Sequence, residues 1–350
     1  MPYELMHNIQ AVYARDYLQL DKGRGRALEL KHLGLSFYTL RDCLCAGQDS
    51  QVIAPVPDSG GILCVFLDSV PYPSNEPQLF GILAKNLTRP EVEIEEAAPF
   101  FPPGAENLWH WTCESLPRLL ALESTGYSGA YIVPAAAWSD ENSVIMQSLG
   151  MLGIDHARLL PSGPLYRVRR MFLPQRLSGF ELAEMLPLAE FLREKLLKAC
   201  GSLEGSKRLY VQRIGRRKVL NEDKAMSVLD DFGFEVMTPE SLSLKEQWRA
   251  MTNVECSVMA HGANSSLSLL QRPGSGMIEL FGNRYTSYNN LHAARLLRLD
   301  YYPLVEELEL ANFPAEKSSV PEFLLQGMAV DITVDILHLR IILERMLGKA

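Results

Sequence analysis

The first candidate for a functional site is a short polar stretch between two apolar runs. In CSVMAHGANSSLSLL, residues 256–270, it consists of His261, Gly262, Ala263, Asn264, Ser265 and Ser266. The pattern predicts a buried strand, a tight turn and a helix that begins near Asn264. Gly262 lets a ligand approach the backbone closely, and a helix N-terminus offers N–H groups and a positive dipole end to phosphate. The alternative is an ordinary turn, capped by Asn264 or a serine, in which His261 has only a local partner.

A second candidate site is the basic stretch SKRLYVQRIGRRKVLNEDK, residues 206–224. Its charged residues are the acidic Glu222 and Asp223 and the basic Lys207, Arg208, Arg213, Arg216, Arg217, Lys218 and Lys224. Seven positive and two negative charges give a local charge of +5 in a chain of net charge −8. Because the forked arginine side chain suits bidentate contact with phosphate oxygens, the stretch is suited to hold a diphosphate. A solvated basic loop is the alternative.

The third candidate is a histidine and a carboxylate in ENLWHWTCESLPRLL, residues 106–120. If Asn107 caps a helix here, His110 and Glu114 lie four residues apart on one face. Glu114 then orients the imidazole and raises its basicity, which suits a general base. Arg118 follows Pro117 directly. The alternative is an aromatic-rich core helix in which His110 only forms a hydrogen bond.

One more carboxylate, Glu279, lies near the end of the predicted strand GMIEL, residues 276–280. At this edge of a parallel sheet it can accept hydrogen bonds from ribose hydroxyls, and a structural ion pair is the alternative. The motifs of dinucleotide oxidoreductases, P-loop enzymes, serine hydrolases and zinc proteases do not occur in the sequence. Its six cysteines have no zinc or disulfide spacing, and neither a metal nor a cofactor is expected.

The elements that must position these residues form two predicted α/β parts. Short strands are predicted between residues 35 and 98, and residues 107–174 then alternate between helix and strand, which implies a parallel sheet covered on both faces. After a charged helix ending near residue 200, five strand signals alternate with helices and predict a doubly wound domain. A closing helix could pack on either half.

Length, composition and charge agree with a soluble two-domain protein. Of the 350 residues, 47% are apolar and 22% are charged, as in folded soluble proteins. We predict domains at 1–200 and 206–325 and a closing helix at 328–348. The net charge of −8 disfavours nucleic acid and anionic membranes as main partners. With no predicted signal peptide or membrane span, the chain is expected to be cytoplasmic or peripheral at the inner face of the membrane.

Five stretches, in this order, resemble the motifs of the family-61 glycosyltransferases. They are NLWHW...LPRLL (107–120), RLYVQR...RRKVLNEDK (208–224), GFEVMTPESLSLKEQW (233–248), VMAHGA (258–263) and GMIEL (276–280). The resemblance implies a GT-B-type architecture, in which two Rossmann-like domains face each other across a cleft. It implies a metal-independent, inverting transfer of a sugar from a nucleotide-diphosphate donor, with a UDP-sugar expected, to a glycan or lipid-linked glycan.

The resemblance also implies a role for each candidate residue on the donor side. Arg213 and Arg217 hold the diphosphate, the turn of residues 261–265 receives the phosphates or the sugar, and Glu279 is the candidate for the ribose. The C-terminal domain therefore carries the nucleotide sugar, and the N-terminal domain lies on the acceptor side.

On the acceptor side, His110 is the candidate general base, with Glu114 as its orienting partner or its replacement. The further cleft candidates are Asn107, Arg118, Asn221 and Glu222. Asn221 and Glu222 open a helix and are expected to fix the basic loop. A bacterial enzyme that builds a surface polysaccharide is the expected setting. The alternatives are a sugar-nucleotide epimerase or hydrolase on the same fold, and a non-catalytic relative that binds sugar nucleotide or glycan.

Overall fold

We describe the protein from a computed structural model, in which the chain divides into two compact units, Met1–Leu192 and Arg193–Ala350. The structure describes residues 28–30, 32–33, 35–47, 51–55, 63–67, 70–71, 91–100, 106–175, 177, 182, 185–283, 286–287, 289–306 and 330–348. The N-terminal stretch for which no signal peptide is predicted lies outside these residues. None of the helices in the described ranges is long and apolar enough to cross a membrane.

In the part of the first unit that the structure describes, nine strands form one sheet. They are β1 (Leu28–Leu30), β2 (Leu35–Gly47), β3 (Gln51–Pro55), β4 (Leu63–Leu67), β5 (Val70–Pro71), β6 (Glu91–Pro99), β7 (Ala130–Val133), β8 (Leu159–Pro161) and β9 (Gly163–Pro174). The order is β5-β4-β3-β2-β9-β6-β7-β8, and β1 pairs with β2. Strands β1–β5 form an antiparallel series, whereas β6 is parallel to β9 and β7, and β7 to β8.

The antiparallel pairing of β2 with β9 joins these two parts. The strands predicted between residues 35 and 98 are confirmed, but they do not form a sheet of their own. We predicted a parallel sheet for the alternating residues 107–174. Their strands are parallel to one another, but they form only part of a mixed sheet. Strand pairing across more than a hundred residues decides this arrangement, and local sequence patterns do not report it.

The helices of the first unit follow its strands. They are α1 (Leu108–His110), a π-helical turn (Trp111–Ser115), α2 (Leu116–Glu123), α3 (Ala135–Trp138), α4 (Val144–Met151) and a 3₁₀ turn (His156–Arg158). Helix α5, Leu186–Cys200, contains the division between the two units. Leu188 and Leu192 are buried in its first half and Leu196 in its second, so its apolar spacing fits a helix with one buried stripe.

Among its described residues, the second unit has five parallel strands. They are β10 (Lys207–Val211), β11 (Phe234–Met237), β12 (Val254–Ala260), β13 (Gly276–Phe281) and β14 (Asp300–Val305). Their order is β11-β10-β12-β13-β14, which is the 2-1-3-4-5 order of flavodoxin-like doubly wound sheets. All six residues of β13 are buried, as expected for a central parallel strand covered on both faces. The doubly wound α/β arrangement predicted for this half is confirmed.

Helices cover both faces of this sheet. They are α6 (Glu222–Asp231), a 3₁₀ turn (Pro239–Ser241), α7 (Leu244–Met251), a 3₁₀ helix (Ala263–Leu270), α8 (Asn289–Leu296) and α9 (Ile336–Leu347). Leu229 of α6 and Leu339 of α9 pack in one core with Val258 and Ile278. On the other face, α7 and α8 both contact the 3₁₀ helix. The closing helix α9 thus packs on the second unit.

The segment before α9 is tied to the basic stretch that precedes α6. Val219 and Ile332 form a parallel β-bridge, and the N–H of Leu220 donates to the carbonyl of Ile332 at 2.8 Å. The side chain of Asn221 donates to the carbonyl of Val334 at 2.8 Å and accepts from its N–H at 2.9 Å. This set of contacts, residues 218–221 with 330–334, is called the C-terminal clamp below.

Candidate active site

The helix that carries His110 has an unusual turn in its middle. Asn107 is its N-cap, and its side chain accepts from the N–H of Trp109 at 2.9 Å, as the sequence predicts. After α1 the chain widens into the π turn Trp111–Ser115 before α2 begins. Single π turns occur mostly at functional sites. The turn directly follows His110 and contains Glu114.

His110 and Glu114 are in contact. The Nδ1 of His110 lies 2.9 Å from Oε2 of Glu114, and the two side chains are 41% and 14% exposed. The hydrogen bond to Glu114 raises the pKa of His110, burial opposes this, and the charge of Glu114 raises the pKa further. Because Nδ1 contacts Glu114, Nε2 is the ring nitrogen that can reach a substrate hydroxyl.

Arg118 lies in the core of the first unit, not on an open surface. Its side chain is fully buried, and its Nε donates to the carbonyl of Glu114 at 2.6 Å. This bond satisfies a carbonyl of the π turn. The placement argues against the cleft role we assigned to Arg118 and favours a structural one.

In the second unit, Arg213 and His261 meet at the point where the strand order reverses. Arg213 follows β10 and His261 follows β12, and these two strands are neighbours in the sheet. From β10 the chain continues to β11 on one side, and from β12 it continues to β13 on the other side. The Nη1 of Arg213 donates to the carbonyl of His261 at 3.3 Å, and its Nε donates to the carbonyl of Arg216 at 2.6 Å. Ligands of open α/β sheets bind in the crevice at this switch point.

Arg213 is a cation that forms no ion pair with the other described residues. Its two hydrogen bonds go to carbonyl groups, and within those residues no carboxylate forms an ion pair with it. Burial lowers the pKa of Arg213 first, the charge of Arg217 lowers it further, and Glu240 acts in the opposite direction. A half-buried guanidinium without a carboxylate partner is a strong site for an anion.

Gly262 is required by the close approach of Arg213. Its φ is 155°, and a Cβ built on Gly262 would lie 2.7 Å from Cζ of Arg213. The glycine therefore makes room for the guanidinium, and not only for a ligand. This explains why glycine stands between His261 and the helix.

Gly262→Ala is expected to weaken binding of UDP by about tenfold, because the added methyl group displaces a cation that contributes about one charge-assisted hydrogen bond. The measurement is the UDP dissociation constant by titration calorimetry. Gly274→Ala is the matched control, since Gly274 also has a positive φ of 78° but its Cβ would meet open space. Equal losses in the two variants would show that backbone strain, not Arg213, causes the effect.

The helix predicted to begin near Asn264 is present as a 3₁₀ helix, Ala263–Leu270. Gly262 is the N-cap of this helix, and no side chain forms a capping hydrogen bond there. Asn264 is half-buried. The hydroxyl of Ser265 donates to the carbonyl of Gly262, and that of Ser266 to the carbonyl of Ala263 at 2.8 Å. Both hydroxyl protons are used locally, so an anion at this turn would have to be contacted by backbone N–H groups.

Glu279 is enclosed and holds His261. It is fully buried, and its Oε1 lies 2.5 Å from Nδ1 of His261. Asn290 donates to the same oxygen, and Tyr301 donates to Oε2 at 2.6 Å. These contacts favour the structural interpretation of Glu279 over a contact with ribose. Sequence reasoning missed Asn290 and Tyr301, which lie inside a predicted helix and a predicted strand without any motif.

The start of α6 fixes the basic loop, as we expected of Asn221 and Glu222. Asn221 belongs to the C-terminal clamp. Glu222 accepts from the hydroxyl of Tyr210 at 2.7 Å and from the amide of Gln212 at 2.9 Å. Gln212 precedes Arg213, so this network sets where the chain leaves β10. Arg217 itself is half-buried with a left-handed φ of 60°.

Fold and site together define an α/β protein in which Arg213 and His261 meet at the switch point of a doubly wound sheet. In the described part of the chain, no group of three or more His, Cys, Asp and Glu side chains is arranged to hold a metal ion. Residues 108–278 match the model of the family Glycosyltransferase 61. The chain therefore carries a family-61 glycosyltransferase region and is a glycosyltransferase, which confirms the resemblance of the motifs. No curated protein matches the chain significantly.

Proposed function

We propose that the protein is an inverting glycosyltransferase that moves a sugar from a nucleoside diphosphate sugar to a hydroxyl of a glycan or lipid-linked glycan. The proposed donor is a UDP-sugar. The observation that carries the donor class is Arg213, a half-buried cation that forms no ion pair with the other described residues and lies at the switch point of the second sheet. A sugar nucleotide is a ligand whose diphosphate matches such a site. The family supports sugar transfer as the reaction.

On the donor side, the second unit binds the diphosphate. Arg213 and Arg217 contact its oxygens, and the N–H groups that begin the 3₁₀ helix after Gly262 face its charge. When the bond between the anomeric carbon and the diphosphate oxygen breaks, its electron pair passes to the diphosphate. Fixed positive groups stabilise this developing charge most strongly where water is excluded. These groups neutralise the charge of the diphosphate without a metal ion.

On the acceptor side, His110 takes the proton of the attacking hydroxyl. Glu114 holds Nδ1 at 2.9 Å, so Nε2 receives the proton while the acceptor oxygen forms its bond to the anomeric carbon. Attack from the face opposite the diphosphate inverts the configuration through an oxocarbenium-like transition state. We propose a GT-B-type arrangement, in which the two units bring base and donor together.

The test of this function is thermal stabilisation across nucleoside diphosphates and sugar nucleotides, with magnesium and with chelator. A ligand that binds only the folded state stabilises it by about 2.7 kcal/mol at a hundredfold excess over its dissociation constant. We expect a rise in Tm with UDP and one UDP-sugar that chelator does not change. No rise in Tm with any nucleotide would contradict the proposal. If UDP is released from the UDP-sugar as fast without an acceptor as with one, the protein is a hydrolase.

A further inference from the structure

The carboxylate of Glu279 joins four segments of the second unit that are far apart in sequence. His261 follows β12, Glu279 lies in β13, Asn290 is in the first turn of α8 and Tyr301 is in β14. Asn290 and Tyr301 donate to Glu279, and Nδ1 of His261 lies 2.5 Å from its Oε1. A fully buried carboxylate needs such donors, and these three contacts hold it in one position.

The direction of each hydrogen bond follows from chemistry. Burial raises the pKa of Tyr301 far above its usual range, and the charge of Glu279 raises it further, so the hydroxyl keeps its proton and donates. Asn290 must turn its amide nitrogen towards the carboxylate. Its Oδ1 is then buried without a hydrogen-bond partner in the described part of the chain. A buried polar atom left in this way calls for a physical explanation.

These contacts fix the ring of His261. Nδ1 faces Glu279 in the interior, so any contact of the ring with a ligand is made through Nε2. The ring stacks on Phe281 with centroids 4.8 Å apart and an angle of 21° between the planes. The backbone is held as well, because the N–H of His261 donates to Leu280 at 2.8 Å and its carbonyl accepts from Arg213.

We propose that Tyr301 and Asn290 are positioning residues of the donor site. Through Glu279 they hold the tautomer and the ring plane of His261, with Nδ1–H donating to Glu279, so that Nε2 accepts from a hydroxyl of the sugar nucleotide beside Arg213. The ligand contact rests on the proposed function, whereas the state of the ring does not. Neither Tyr301 nor Asn290 needs to touch the ligand.

The first experiment measures binding of UDP to the whole chain by titration calorimetry. Tyr301→Phe is expected to lower UDP affinity by about five- to tenfold, because one hydrogen bond to a charged group is lost one step from the ligand. Tyr302→Phe is the matched control: Tyr302 is the next residue of β14, packs on the opposite face of the sheet and lies under Arg345. Its affinity for UDP should equal that of the wild-type chain.

The second experiment needs no ligand. In protein with ¹⁵N-labelled histidine, NMR of the imidazole nitrogens should show His261 protonated at Nδ1, with its signal identified by His261→Gln. Tyr301→Phe should change the ¹⁵N shifts of this ring, and Tyr302→Phe should not. A His261 ring protonated only at Nε2, or equal UDP affinity in both tyrosine variants, would overturn the proposal. A wild-type chain that binds no nucleotide would overturn the proposed function and the ligand contact, while the NMR result still decides whether Tyr301 positions the ring.

Discussion

Arg213→Ala is expected to lower the affinity for UDP by about a hundredfold. Charge-assisted hydrogen bonds contribute roughly 1.5–3 kcal/mol each, and Arg213 is the described cation best placed at the switch point to form them. Sugar transfer should fall further, by about 10³-fold, because the diphosphate gains charge as it leaves. Calorimetry with UDP and turnover with the UDP-sugar that stabilises the wild-type chain measure the two effects.

Two matched variants separate this role from general basic charge. Arg216→Ala removes an exposed neighbouring arginine and keeps the carbonyl that accepts from Arg213, so it should leave UDP affinity nearly unchanged. Arg213→Lys retains the charge without the fork and should recover only part of the affinity. If Arg216→Ala and Arg213→Ala weaken UDP binding equally, the basic loop acts as a diffuse field and the assigned contact is wrong.

His110→Ala is expected to reduce kcat by about a hundredfold or more while UDP binding stays intact. A positioned general base typically contributes about 10²- to 10⁴-fold, and His110 belongs to the first unit, whereas the residues proposed to hold the diphosphate belong to the second. His156→Ala, which removes an exposed histidine from the same unit, should have the wild-type rate. Full activity of His110→Ala would move the base elsewhere, first to Glu114.

The same pair predicts a pH dependence with a defined sign. A general base works in its neutral form, so kcat/KM should fall as the pH drops through the pKa of His110. Glu114 raises that pKa from its ordinary value of 6.5. The acidic limb of the pH profile, where kcat/KM falls, should therefore lie above pH 6.5. Glu114→Gln removes the charge and should move the limb to lower pH. A limb that does not move in this variant would show that another group is titrating.

Local patterns predicted the elements of the second unit well. The five strands have apolar residues in short runs, and the helices between them have capping residues such as Ser243, which forms a complete capping box with Glu246. Both signals are contained within a few residues, so the sequence reports them directly. The rule that ligands bind at the carboxyl ends of parallel strands then pointed to the turn at His261 and to Arg213.

Features that depend on distant contacts could not be predicted. The strand order, the pairing of β2 with β9 and the enclosure of Arg118 require knowledge of which segments meet. Glu279 shows this most clearly, since its partners lie 18, 11 and 22 residues away. A carboxylate near the end of a strand has the same local sequence whether it faces a ribose or three buried partners. Only the fold distinguishes these cases.

The C-terminal clamp also bears on when the enzyme becomes active during its synthesis. Val334 is translated 113 residues after Asn221, a delay on the order of ten seconds on the ribosome. Until then the loop with Arg216 and Arg217 lacks the strand that pairs with Val219. A nascent chain that already carries every proposed donor-site residue therefore still lacks the final shape of this loop, and the donor site we propose is complete only once residues 330–334 have been added.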